Sequence, residues 1–174
     1  MRALAAAAFV IAGAAGAESV PGALRFGEIR LEAAICGVRS TLWIEHYVAA
    51  LYLPERRSAL EELLDPTSAK ALYVRILNDD HLPLRIPREW REPIVRHLSV
   101  DDLARARAAY RRLRPGDELF IAYLPDAGVR LVINDRLIAS SSGHALVEAV
   151  LGTWTEGKPL GEKLREVTAD NTCR

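Results

Sequence analysis

A chain of 174 residues is long enough for one domain and short for two, and its composition, half hydrophobic and about a quarter charged, is that of an ordinary globular protein. The 23 basic and 23 acidic side chains cancel, so the total shows neither the basic footprint of a nucleic-acid binder nor a polybasic membrane patch.

The first 17 residues stand apart. Met1-Arg2 gives a short positive start, Ala3 to Ala15 is almost wholly apolar, and Ala15-Gly16-Ala17 fits an A-x-A cleavage site. This pattern predicts a secretory signal peptide cleaved after about Ala17 and a periplasmic or secreted protein spanning 18–174 as a single domain. No lipobox cysteine follows, and no transmembrane segment is expected in the mature chain. Leu24 to Ala34 predicts a lead-in strand. Cys36 to Pro54 is rich in aromatic and β-branched residues and predicts one long central strand, with Arg39, Thr41, Trp43, Glu45, Tyr47 and Ala49 on one face. A cation, hydroxyls and large aromatics on one face suit either a core or a pocket for an apolar ligand with an acidic or phenolic head.

Ser58 to Leu64 predicts a short amphipathic helix, and Lys70 to Leu77 a strand. Arg88 to Leu98 predicts a helix with Trp90, Ile94 and Leu98 on one stripe. Ser99 is a suitable N-cap for the next helix, where Leu103, Ala106, Tyr110 and Leu113 form the apolar stripe. Arg105, Arg107, Arg111 and Arg112 lie mostly off that stripe and read as a solvated face. Strands follow at Glu118 to Leu124, Val129 to Ile133 and Arg136 to Ala139, the last two joined by Asn134-Asp135 as a hairpin turn. A helix is expected from His144 to about Thr155, and another from Pro159 to about Val167.

Strands, then helices, then strands and helices again predict an α+β layered fold, a mainly antiparallel sheet with a layer of helices. The sequence contains no G-x-S-x-G, H-E-x-x-H, P-loop or G-x-G-x-x-G, and His46, His81, His97 and His144 have no metal-ligand spacing. No cofactor or metal is expected. Two cysteines in an oxidising compartment allow one bridge, Cys36 to Cys173; the alternative is a buried Cys36 and a free tail thiol.

Gly37-Val38-Arg39, eight residues on to Tyr47, and then Ala50-Leu51-Tyr52-Leu53 resemble the first long strand of the chalcone isomerase superfamily. Arg114-Pro115-Gly116-Asp117, Leu131 to Asp135, and Leu146 to Trp154 followed by Gly157-Lys158-Pro159 continue the likeness over roughly residues 26 to 166. It is greatest to the bacterial exported, chalcone isomerase-like branch. The resemblance implies an open-faced β-sandwich. It also implies that Arg39, taken alone a surface strand arginine, holds the phenolate of a chalcone or the carboxylate of a fatty acid, as a guanidinium with paired donors is suited to do. Tyr47 falls where the enzymes carry a catalytic threonine, and Thr153 where they carry a substrate-contacting one. Trp90 and Trp154 either line the cleft or plug it. Between Leu82 and Leu98 the enzymes place a tyrosine and an asparagine that are missing here. The reading is therefore a non-catalytic binding protein for a fatty acid or similar apolar ligand with an anionic head. The alternative is an intramolecular lyase on a chalcone-like enone, with Arg39, Tyr47 and Thr153 as catalytic residues. A third possibility is an interaction module whose cleft is filled by its own side chains.

Overall fold

The computed structural model describes residues 19–41, 43–54, 65–78, 86, 88–154, 165–166 and 173. The expected signal peptide and the expected helix at Ser58 to Leu64 fall outside them. The described chain forms strands β1 (Ala23–Phe26), β2 (Ile29–Thr41), β3 (Ile44–Leu53) and β4 (Lys70–Ile76), then helices α1 (Arg88–His97) and α2 (Val100–Tyr110). Strands β5 (Glu118–Leu124), β6 (Gly128–Ile133) and β7 (Arg136–Ser141) follow, then α3 (Ala145–Leu151) running into a 3₁₀ turn at Gly152–Trp154, and the short β8 (Arg165–Glu166).

The strands pair antiparallel in the order of the chain, β1 to β7, and β8 joins β2. The sheet curls into a half-barrel, in keeping with the expected α+β class. Each connection has a local cause. Asn134 and Asp135 both take positive φ, as a tight two-residue hairpin turn needs. At Gly128, φ is +72° and an added Cβ would lie 2.3 Å from the Ser141 carbonyl oxygen, so only glycine fits. Ser99 caps α2, its hydroxyl oxygen accepting from the Asp102 amide at 3.1 Å.

The stretch from Cys36 to Pro54 is not one strand. It breaks between Thr41 and Ile44 into the β2–β3 hairpin, with Arg39 opposite Tyr47 and Cys36 opposite Ala50. A straight strand of that length would run about 60 Å, beyond the roughly 40 Å diameter of a compact domain this size. The lead-in strand is likewise two, turning at Gly27 (φ +63°). Trp43 stands at the hairpin tip, 83 % exposed, and not on a shared face with Arg39. Of the last expected helix, residues 165–166 are instead a strand. β1 covers only the start of β2, and Arg165–Glu166 pair with the open edge at Ile35–Cys36.

Both faces of the sheet are buried. On one, Leu51, Leu72, Val74 and Ile121 pack against Trp90 and Ile94 of α1 and Val147 and Val150 of α3. On the other, Val48, Ala50, Tyr52, Tyr73 and Phe120 form a second cluster with Val20, Leu24 and Cys173. Cys36 and Cys173 are joined by a disulfide, Cα to Cα 5.5 Å. The Ser19–Gly22 segment is tied across this second face: Arg75 donates to the Ser19 carbonyl (2.7 Å), the Tyr52 hydroxyl to that of Pro21 (2.5 Å), and the Ala33 amide to that of Gly22 (3.1 Å).

Candidate functional site

Strict alternation along β2 from Ala33, which faces the second cluster, would put Arg39 there as well. A bulge intervenes. Ala33 pairs with Tyr52 and Ile35 with Leu51, so Ala34 is the extra residue, and every later side chain on β2 changes face. Arg39 thereby comes to the helix-covered face, directly across from Tyr47. Opposed residues in an antiparallel pair have Cα atoms about 4.5–5.5 Å apart, so the guanidinium stem and the phenol ring stand side by side. A second irregularity leaves His46 as the extra residue beyond the Arg39–Tyr47 pair and buries it, among the few polar side chains that the sheet encloses.

Helix α1 brings Trp90 onto Tyr47, ring centroids 6.5 Å apart and planes tilted by 47°. Such tilted pairs use the edge-to-face attraction of the ring quadrupoles. Trp90 is 8 % exposed, and its indole N–H donates to the Thr153 hydroxyl oxygen at 3.2 Å. Thr153 in turn donates to the Val150 carbonyl at 2.7 Å, which spends its only proton. Arg39, Tyr47, Trp90 and Thr153 therefore form one continuous row from β2 to the end of α3. Trp154 follows in the 3₁₀ turn, and its side chain lies outside the described residues.

The electrostatics of the row are simple. Arg39 is half-buried, and among the described residues its side chain forms no ion pair or hydrogen bond. Its neighbours on this face are the Gly37–Ala49 pair, which has almost no side chain, and the apolar packing beyond. A half-buried guanidinium with no counter-ion among the described residues is available to an anion. Thr153 is differently placed: its hydroxyl fixes Trp90 and has acceptor capacity left, but no proton to give an oxyanion while the Val150 bond holds. Among the described residues no group of His, Cys, Asp or Glu is arranged to hold a metal.

A polar cluster at the far end of the same face did not stand out in the sequence. Lys70, at 0 % exposure, donates to the Asp65 carbonyl oxygen at 2.6 Å, and its Nζ lies 3.3 Å from His144 Nε2. The His144 ring sits edge-on to Tyr123, at 4.8 Å, and its Nδ1 faces Glu148 at 3.5 Å. Burial, aided by the Lys70 ammonium, holds His144 below the ordinary imidazole range against the opposing pull of Glu148 and Asp65. A lysine opening a strand and a histidine before a helix are unremarkable in sequence; only the topology stacks them. On the opposite face Tyr52 and Tyr73 cross at 6.2 Å, burial raising both phenols; for Tyr73, which donates to Glu118 at 2.8 Å, that carboxylate adds to the effect.

A family model described as chalcone isomerase-like matches residues 13–167. A sequence search of curated proteins finds no match. Among solved structures, the fold is similar to that of a fatty-acid binding protein from Arabidopsis thaliana. The TM-score is 0.55 over 81 % of this chain and 86 % of that one, at 12 % sequence identity.

Proposed function

The chain belongs to the chalcone isomerase-like family, and on that premise we propose that it binds, without transforming, an apolar ligand with an anionic head such as a fatty acid. The observation that carries this reading is the position of Arg39: half-buried beside Tyr47, facing the apolar helix layer, with no counter-ion among the described residues. Arg39 takes the carboxylate, Tyr47 lines the head group, and Trp90, oriented by Thr153, bounds the ligand with Trp154 beside it in the chain. The structural likeness to a protein named for fatty-acid binding supports the same class of ligand. The committed proton of Thr153 and the missing tyrosine–asparagine pair weigh against the lyase alternative, which asks for donors to a developing oxyanion. We further propose export with cleavage after Ala17; the apolar N-terminus and the Cys36–Cys173 bridge, a feature of oxidising compartments, support it.

The test is a fluorescence titration of the mature chain with a long-chain fatty acid, run beside Arg39→Ala. A charge-assisted hydrogen bond contributes about 1.5–3 kcal/mol, so Kd rises about 10- to 100-fold in the variant while the melting temperature holds. Equal affinity in the two proteins would remove the head-group site. Stereospecific cyclisation of a chalcone above the uncatalysed rate would replace binding by the lyase reading.

A further inference from the structure

The balanced total charge conceals a local separation. Residues 88–114, which comprise α1 and α2, contain eight arginines against four carboxylates, while the whole chain balances 23 against 23. The rest of the sequence carries 15 basic against 19 acidic side chains, so the positive excess is concentrated in this one segment. Within this layer Arg91, Arg96, Arg105, Arg107, Arg111 and Arg112 are exposed. Two of them are engaged: Arg105 with Asp102 and with the Ile138 carbonyl, and Arg96 loosely with Glu92 at 3.9 Å. Among the described residues Arg91, Arg107, Arg111 and Arg112 form no ion pair.

Arg107 in the last turn of α2 and Arg111 at its C-cap suit the helix dipole, but they also repel each other. Arg107 and Arg111 are four residues apart, where like charges repel, and no carboxylate stands between them on that side of α2. The buried stripe of α2 is Ala106 with the half-buried Leu103 and Tyr110, so the arginines are not needed to cover the core. At the α1–α2 corner two valines join them in solvent: Val95, 44 % exposed, and Val100, 84 % exposed. Apolar side chains at a helix corner, on two helices whose exposed arginines can each engage a phosphate with paired donors, match the chemistry of a phospholipid surface. Nucleic acid fits less well, since the exposed positions of α1 and α2 carry no aromatic side chain for a base to stack on.

We propose that the α1–α2 face docks on an anionic lipid membrane. Arg91, Arg107, Arg111 and Arg112 meet the head-group phosphates, and Val95 and Val100 enter the interfacial layer. The helices lie against the lipid and the sheet away from it. The proposal is independent of the ligand reading, because none of these residues belongs to the Arg39–Tyr47–Trp90–Thr153 row.

The test is sedimentation of the mature protein with vesicles of equal parts phosphatidylglycerol and phosphatidylcholine, beside vesicles of phosphatidylcholine alone. Binding is expected to the anionic vesicles only. It should fall sharply as NaCl rises from about 0.1 to about 1 M, which shortens the screening length from about 10 to about 3 Å. A juxtamembrane arginine strengthens partition about 5-fold, so the triple variant Arg107→Ser, Arg111→Ser, Arg112→Ser loses about 100-fold. These side chains are exposed and unpaired, so its circular dichroism and fatty-acid titration should match those of the unmodified protein. Equal binding to both kinds of vesicle, undiminished binding by the triple variant, or tighter binding to duplex DNA at the same phosphate concentration would overturn the proposal.

Discussion

Removing the bridge between Cys36 and Cys173 tests how the sheet retains its C-terminal chain. The bond closes a loop of sequence separation 137. In the chain-entropy model a loop of this length costs the unfolded state roughly 17 cal/mol/K, or about 5 kcal/mol at room temperature, one of the larger values a single bridge can supply. Both cysteines are buried in the second cluster, where Cys36 also pairs with Arg165 of β8. Its loss therefore removes the covalent support of the β2–β8 pairing as well. The variant Cys36→Ala, Cys173→Ala avoids burying a hydroxyl. Compared with the oxidised protein by urea unfolding, it should lose about 3–5 kcal/mol, the upper limit being the full entropic term. At about 2–4 °C per kcal/mol for a chain of this size, the melting temperature should fall by about 6–20 °C. The urea m-value should rise, because the uncrosslinked unfolded chain exposes more surface. Unmodified protein treated with a strong reductant provides the control, since it keeps the cysteine side chains and loses only the bond. A change under about 1 kcal/mol in both the variant and the reduced protein would refute the assignment of this stability to loop closure. A loss in the variant alone would move the cause to packing.

Other parts of the structure make separate predictions. His144 is held below the ordinary imidazole value of 6.5, so the folded state resists protonation and the unfolded state does not. Its contribution is complete above about pH 6.5 and is lost progressively as pH falls through the lowered folded value. Unfolding midpoints followed downward from pH about 7.5 should therefore decline more steeply for the native protein than for His144→Gln, and parallel curves would dissociate His144 from the effect. Gly128→Ala forces a Cβ against the Ser141 carbonyl at a positive φ, and should cost about 1–3 kcal/mol by the same urea assay; a neutral result would mean that the β6–β7 edge yields freely. Thr153→Val leaves the Trp90 indole N–H without its acceptor and should cost about 1–3 kcal/mol, whereas Trp90→Phe in that background should add less than it does alone. Additive effects in that cycle would deny the coupling.

Much of the sheet could be read from the sequence because local signals and tertiary requirements agree there. Lys70 to Ile76 and Glu118 to Leu124 are short apolar and aromatic runs between turn residues, as strands buried on both faces are, and Asn134-Asp135 takes the positive φ values that its residue types tolerate. Ser99 caps α2 as its side chain invites. Signals fail where structure is imposed from a distance. Arg165–Glu166 pair with β2 because β1 leaves part of that edge open, which nothing local to residues 165–166 announces. The Lys70–His144 contact joins residues 74 apart and is invisible to any window of sequence.

The β2–β3 hairpin shows how the proximity of two residues can be anticipated through the wrong geometry. Ser40 to Ile44 contains no glycine, asparagine or proline, so nothing marks a turn, and its β-branched and aromatic residues read as uninterrupted strand. On that reading Arg39 and Tyr47 share a face because eight is an even number, but they stand about 26 Å apart, too far to touch one ligand head. The hairpin keeps them on one face by a different route. It folds the strand so that the two are paired across the ladder, and the bulge at Ala34 turns that pair toward the helices instead of the second cluster. Their proximity thus depends on one turn and one extra residue, both outside the pair itself. Deleting Ala34 should accordingly do more than shorten a strand: with strict alternation restored upstream of the pair, Arg39 would be driven toward the aromatic face occupied by Tyr52 and Tyr73. The fold and the placement of the Arg39–Tyr47 pair are thus coupled at that residue.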